Sequence, residues 1–140
     1  PPTATKEPTP EPTETPKITA DEYLYIEVMQ SVVQDIIDMT KVYSLHWEEY
    51  DGTEKWDDLR TEFQNDIRDS CKIAEEYDVP EKYLEIHEDL TFGCSEIETG
   101  FSLIALSFTL DDAEGAITGL DLVTKGAEDI ELFSSWLFEQ

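Results

Sequence analysis

The sequence predicts an all-α protein, an antiparallel up-down-up-down four-helix bundle that follows a disordered or extended N-terminal tail. Four long segments carry apolar residues at alternating spacings of three and four, which is the pattern of a helix buried along one side. Each segment opens with a helix-capping pattern. The connections between the segments are short, so consecutive helices are expected to run in opposite directions. No repeat of fixed period supports a helical solenoid, the main rival fold.

Length and charge limit the classes of protein to consider. The 140 residues suffice for one domain with a core, and the formal net charge of -25 comes from 34 acidic and nine basic residues. This charge excludes nucleic acid and anionic lipid as partners, because their phosphates are bound by Lys and Arg. Two explanations of the charge remain. The acidic surface either attracts cations or basic partners weakly, or it is a solvated surface without a partner, and we favour the solvated surface. No stretch approaches the roughly 18 apolar residues of a transmembrane segment.

The N-terminal residues 1–18 are predicted to be a stalk, and residues 19–140 the bundle domain. Six of the seven prolines lie in the first 17 residues, with Thr or Glu in most of the gaps between them. Such a segment has too little apolar area to fold, and its prolines favour extended conformations. The expected role is a spacer between the bundle and a cell envelope, with a lipid anchor upstream left open.

The first predicted helix runs from about Ala20 to Tyr50. A capping box of Thr19 and Glu22 marks its start, and the Asp51-Gly52 turn ends it because glycine accepts left-handed backbone angles. Its buried stripe consists of Tyr25, Ile26, Met29, Val32, Val33, Ile36, Ile37, Met39, Tyr43, His46 and Tyr50.

The second predicted helix runs from about Thr53 to Tyr77, with a capping box of Asp51 and Glu54. The run Asp78-Val79-Pro80 ends it, since the residue before a proline is pushed away from helical angles. Its buried stripe consists of Trp56, Leu59, Phe63, Ile67, Cys71 and Ala74.

The third predicted helix, Pro80 to Phe108, is the one against which the others are expected to pack. Asp78 and Glu81 form its predicted capping box. Its stripe extends over more than three heptads and consists of Tyr83, His87, Leu90, Cys94, Ile97, Phe101, Ile104 and Phe108.

The fourth predicted helix runs from about Asp112 to Phe138, with Asp111 and Glu114 as its capping box. Its buried stripe consists of Ala113, Ala116, Leu120, Val123, Ala127, Ile130 and Leu137. Three glycines, at positions 115, 119 and 126, each cost about 1 kcal/mol of helix propensity relative to Ala. We therefore expect packing to hold this helix, with the small residues admitting a close neighbour.

Two short runs resemble a known group of proteins. They are Val79-Pro80-Glu81-Lys82-Tyr83-Leu84-Glu85-Ile86-His87, at the start of the third helix, and Leu110-Asp111-Asp112-Ala113, at the start of the last. A Pro-x-x-Tyr-x-x-x-His helix start after a Trp-bearing helix is similar to the helical-bundle domains of small prokaryotic secreted lipoproteins. The resemblance covers roughly residues 20–138. It implies a prokaryotic cell-surface or extracellular location and a helical bundle, and it implies no activity.

No residue is predicted to be catalytic, cofactor-binding or metal-binding. A di-metal site in a bundle needs Glu-x-x-His pairs, whereas Tyr43 precedes His46 by three residues and Leu84 precedes His87. Both histidines are expected to be partly buried and bonded to a neighbour. In the best EF-hand register Leu110 falls where an acid is required. Weak cation binding is left open for Glu48, Glu49, Asp51, Asp57 and Asp58.

The two cysteines are predicted to be small core residues without a bond. A hairpin turning near Val79 places Cys71 and Cys94 at heights that differ by roughly 10 Å, at 1.5 Å per residue, which exceeds the reach of a disulfide. A disulfide, expected if the protein is exported, is the alternative that stays open.

These observations favour a secreted or envelope-tethered acidic module with a non-enzymatic binding or structural role. The alternative is a carrier of a metal cation or a small ligand, using the bundle interior or its acidic rim. Adaptation to high salt is a third explanation of the charge. Phe133, Trp136 and Phe138 either fill the end of the core, which we favour, or form a patch for a homodimer.

Overall fold

A computed structural model describes residues 3–10, 17–48 and 54–140 of the chain. It contains helices α1 (Ala20–Glu48), α2 (Glu54–Glu76), α3 (Leu84–Leu110) and α4 (Ala113–Phe138), with a short 3-10 helix (Glu81–Tyr83) directly before α3. The described residues contain no β-strand. The prediction of an all-α chain with four helices is thereby confirmed. Part of the predicted tail, residues 1–2 and 11–16, lies outside the described residues, and the tail stays a prediction.

The start of α1 has the predicted capping box. The Glu22 backbone N–H donates to Thr19 Oγ1 over 3.2 Å, and the Thr19 N–H donates to Glu22 Oε2 over 3.4 Å. This reciprocal pair satisfies two of the backbone donors that a helix leaves free at its first turn. The Asp51 and Glu54 box of the second helix falls on residues or side chains outside those the structure describes.

The other two capping boxes are corrected. Before α3, Pro80 instead of Asp78 stands at the cap position of the 3-10 helix, and no side chain caps it there because a proline side chain has no acceptor. At α4 the cap moves by one residue: Asp112, instead of Asp111, accepts from the Gly115 N–H over 3.1 Å. Asp111 has a φ of 53° and closes α3 in the left-handed conformation.

Most residues of the predicted stripes of α1, α2 and α3 are buried, and the half-buried ones are Ile37, Met39, His46, Leu59 and Phe108. The α4 stripe departs further from the prediction: Ala113 is exposed and Ala116, Leu120 and Ala127 are half-buried, whereas Gly119, Gly126 and Phe133 are buried. The side chains of Tyr50 and Trp56 are not described. The fully buried apolar side chains are Tyr25, Met29, Val33, Ile36, Ile67, Cys71, Ala74, Leu90, Cys94, Ile97, Phe101, Ile104, Ile130, Phe133 and Leu137. Every one of the four helices contributes to this cluster.

Two contacts show the relative direction of α2 and α3. Gln64 Nε2 donates to Ser102 Oγ over 3.5 Å, and one turn further along α2 the Arg68 guanidinium lies 3.5 Å from the Glu98 carboxylate. As α2 advances, its partners on α3 therefore fall at lower residue numbers. The two helices are antiparallel where these contacts lie.

Helices α3 and α4 meet along a glycine seam, which consists of Gly93, Gly100, Gly119 and Gly126. A Cβ atom built on Gly100 would lie 2.5 Å from the Gly119 carbonyl oxygen, and one on Gly93 would lie 2.7 Å from the Gly126 oxygen. Side chains cannot fit at such distances, so the two backbones touch directly. The prediction that small residues of the fourth helix admit a close neighbour is confirmed, and the matching glycines of α3 complete the seam.

The prediction for the cysteines is wrong, because Cys71 and Cys94 form a disulfide. Their Cα atoms are 5.8 Å apart, within the usual range of about 4.4–6.8 Å. The error came from the position of the turn. Helices α2 and α3 are joined by residues 77–83, which include the 3-10 helix, and α3 begins only at Leu84. The facing pairs Gln64–Ser102, Arg68–Glu98 and Cys71–Cys94 are all centred near residue 83 instead of Val79, so the two cysteines lie at the same height.

Candidate functional site

The candidate site is a groove between α1 and α4, called here the α1–α4 groove. Its volume is about 500 Å³, and it is open to solvent along one side. The lining residues are Ile36, Ile37, Thr40, Lys41, Ser44, Leu45, Ala127, Ile130 and Glu131. The groove exists because the seam holds α4 close to α3, while the α4 wall facing α1 carries the small side chain of Ala127.

The inner wall of the groove is apolar. Ile36 and Ile130 are each 1% exposed and belong to the core, whereas Leu45 is 64% exposed at the outer edge. The polar groups of α1 bond to their own helix: Thr40 Oγ1 donates to the Ile36 carbonyl over 2.8 Å, and Ser44 Oγ donates to the Thr40 carbonyl over 3.0 Å. Both hydroxyl groups therefore have a hydrogen-bond acceptor within the protein. The surface that the groove presents to a ligand is mainly hydrocarbon.

Among the described lining residues of the groove, two are charged. Lys41 comes from α1 and Glu131 from α4, so the two helices contribute one charge of each sign. Both residues are exposed. Pockets of about 300–1,000 Å³ with apolar walls and a few polar groups are typical of sites for small molecules. The arrangement is thus suited to holding an apolar molecule by contact.

His87 occupies a buried network that joins three helices. Its Nε2 lies 2.9 Å from the Ala74 carbonyl oxygen, and its Nδ1 lies 2.8 Å from the Tyr25 hydroxyl. A carbonyl only accepts, so Nε2 carries the proton and Nδ1 accepts from the tyrosine. Burial lowers the pKa of His87, and the bond to Ala74 opposes that effect. The expectation of a buried imidazole bonded to neighbours is confirmed for this residue.

Acidic residues do not assemble a metal centre in the described parts of the chain, where no group of three His, Cys, Asp or Glu side chains is placed to hold an ion. Among the acids considered for weak cation binding, Asp57 accepts from Arg60 Nε over 2.8 Å. Asp58 is exposed. The side chains of Glu48, Glu49 and Asp51 are not described.

The aromatic residues at the end of α4 belong mostly to the core. Phe133 is fully buried, and the half-buried Trp136 ring lies 5.2 Å from Tyr83 and 5.6 Å from Phe133, centroid to centroid. Only Phe138 is substantially exposed, at 53%. Core filling, the favoured interpretation, is confirmed for Phe133, and the three residues do not form a continuous exposed patch.

None of the helices in the described ranges has the length and apolar character needed to cross a membrane. Comparison of the chain with protein-family models, with curated proteins and with solved structures found no match. The function is therefore inferred from the chemistry of the α1–α4 groove.

Proposed function

We propose that this chain is a non-enzymatic binding module that holds an apolar small molecule in the α1–α4 groove. The observation that carries the proposal is the apolar cleft of about 500 Å³ between two helices of the bundle. Burial of apolar area supplies roughly 25 cal/mol per Å², so a ligand that covers the exposed hydrocarbon of this cleft gains affinity without specific polar contacts. Of the alternatives raised by the sequence, this favours a small ligand over a metal cation.

The polar groups nearest the groove support a binding role over a catalytic one. The Thr40 and Ser44 hydroxyls donate to backbone carbonyls of α1. His87, whose imidazole is the most evident general base of the described core, has both ring nitrogens committed to Tyr25 and Ala74.

The disulfide between Cys71 and Cys94 supports a place outside the cytoplasm. Disulfides persist in oxidising compartments and are rare where thiols are kept reduced. The Pro/Thr-rich N-terminal segment and the resemblance to prokaryotic lipoprotein domains point the same way, so we place the module in the cell envelope or medium of a prokaryote. Alkylation of freshly lysed, denatured source cells tests this: both cysteines should escape the reagent before reduction. Full alkylation of both would contradict the location.

Filling the groove is expected to abolish ligand binding. Ala127→Leu adds three carbon atoms to the middle of the α4 wall, where they occupy the space that a ligand would take. The measurement is a fluorescence titration with N-phenyl-1-naphthylamine, a neutral apolar probe. We expect binding to weaken at least tenfold, which corresponds to about 1.4 kcal/mol.

The matched control is Ala113→Leu, the same substitution at an exposed position of the same helix. This variant should bind the probe as the unmodified protein does. Equal affinity of Ala127→Leu and the unmodified protein would show that the probe binds elsewhere, and an unmodified protein that binds no apolar probe would overturn the proposal. Circular dichroism of each variant shows whether the bundle is retained.

A further inference from the structure

A buried carboxylate lies at the edge of the glycine seam. Glu96 of α3 is only 7% exposed, and neither of its inaccessible carboxylate oxygens has a hydrogen-bond partner among the described residues. A buried charge without hydrogen bonds is costly, and most buried polar groups in proteins are paired. Glu96 therefore needs a physical explanation that the fold by itself does not give.

Two charged groups of α4 face Glu96. Lys125 Nζ lies 3.6 Å from Glu96 Oε2, which is an ion pair but too long for a good hydrogen bond. The lysine side chain is 63% exposed, so solvent weakens its attraction. Asp129 stands one turn after Lys125 on α4, and its Cβ lies 3.3 Å from the place that a Cβ on Gly93 would take, one turn before Glu96 on α3. The Asp129 carboxyl is therefore a neighbour of the Glu96 carboxyl across the seam. With both groups ionised, the two carboxylates repel each other.

Within the described residues, the structure records no other ion pair of Glu96 than the one with Lys125. The residues one turn before and after Glu96 on α3 are uncharged; they are Phe92, Gly93, Thr99 and Gly100. On α2, Arg68 pairs with Glu98, and Lys72 pairs with Glu76 of its own helix. Helix α1 packs against α3 through Tyr25 and Tyr43, which meet His87 and Phe101. Two carboxyl groups thus face one ammonium group, and a single proton would make the set neutral.

We propose that Glu96 and Asp129 form a proton-binding site, in which one proton shared by the two carboxyl groups strengthens the contact between α3 and α4. The proton provides the missing hydrogen-bond donor and removes the repulsion, while Lys125 compensates the remaining negative charge. The site goes beyond the proposed ligand groove. It acts on α4, the helix that supplies Ala127, Ile130 and Glu131 to that groove.

The sign of the pH dependence follows from the environment of Glu96. Burial raises the pKa of Glu96 above its ordinary value of 4.5, Asp129 raises it further, and Lys125 opposes them. A carboxyl whose pKa is higher in the folded state takes up a proton on folding. The stabilisation is therefore complete below about pH 4.5 and is lost as the pH rises through the raised pKa of Glu96.

The test is the pH dependence of unfolding, measured by urea titration between pH 4.5 and 8. One proton taken up on folding changes the unfolding equilibrium constant by up to about tenfold per pH unit. Glu96→Gln keeps the shape of the side chain and has its own donor for Asp129, so we expect it to remove this one-proton dependence and to be the more stable protein at pH 8. Glu88→Gln, which removes an exposed acid of α3, is the matched control and should keep the full dependence.

A direct measurement keeps the proposal testable if Glu96→Gln does not fold. The carboxyl carbon of Glu96 can be titrated by nuclear magnetic resonance in the unmodified protein and in Asp129→Asn. We expect titration above the ordinary glutamate range, moving to lower pH in Asp129→Asn because the like charge is gone. An ordinary pKa for Glu96, or identical pH dependence in Glu96→Gln and Glu88→Gln, would overturn the proposal.

Discussion

Replacing Gly100 with Ala is expected to lower the free energy of unfolding by about 2 kcal/mol, near the middle of the range for overpacked sites. The new methyl group would lie 2.5 Å from the Gly119 carbonyl oxygen and 2.9 Å from the Val123 nitrogen, so backbone atoms block it. No rotamer change can relieve a backbone contact. The two helices must separate, and the loss then extends to the neighbouring contacts of the seam.

The sign of this effect separates packing from helix propensity. Ala is favoured over Gly inside a helix by about 1 kcal/mol, so without a close neighbour Gly100→Ala would stabilise the protein. Ser95→Ala, at an exposed position of α3, is the control that measures propensity alone. Urea unfolding followed by circular dichroism gives both values. A gain in stability for Gly100→Ala would show that α3 and α4 do not touch through their backbones.

Removal of the disulfide is expected to produce the largest loss. Cys71 and Cys94 are 23 residues apart, and closing a loop of that size stabilises a fold by about 3 to 4 kcal/mol in the chain-entropy account. We therefore expect the double variant Cys71→Ala/Cys94→Ala to lose roughly this amount relative to the oxidised protein. Both sites are fully buried, and Ala keeps them small and apolar.

Reduction of the unmodified protein provides the matched comparison. It breaks the same bond without changing a residue, so the reduced protein and the double variant should unfold at similar urea concentrations. A loss below about 1 kcal/mol in the double variant, well under the usual effect of a native disulfide, would contradict a stabilising role. The bond also links α2 to α3, so its loss should weaken the attachment of the α1 and α2 pair to the rest of the bundle.

The apolar spacing predicted which faces of the helices are buried. Residues such as Met29, Ile67, Ile97 and Ile130 recur at helical periodicity because each must face the same core, and the structure buries all four. This property depends on the local sequence alone, which explains why it was accessible without coordinates. The capping box of Thr19 was accessible for the same reason.

Relations between helices were harder to predict, because they depend on where each connection turns. Placing the turn at Val79 separated Cys71 from Cys94, whereas the longer connection brings them together. A proline marks the end of one helix, but it does not fix how many further residues pass before the next begins. An error of a few residues in the turn shifts every facing pair along the hairpin.

The groove and the buried carboxylate had no signal in the sequence. In the sequence, Thr40 and Ser44 are polar residues like many others, and Glu96 is one of 34 acidic residues. What distinguishes Glu96 is its place beside Gly93 and Gly100, where α4 comes close enough to cover it. The burial of Glu96 follows from the short separation of α3 and α4, and that separation results from packing of the whole bundle.

The direct contact of α3 and α4 determines where α4 lies, and so determines both the groove and the environment of Glu96. The most direct test is nuclear Overhauser spectroscopy of the oxidised protein. Close packing predicts cross-peaks from the Gly100 α-protons to the Val123 methyl protons and from the Gly93 α-protons to Ile130. Absence of both cross-peaks in a fully assigned spectrum would contradict the contact between these two helices.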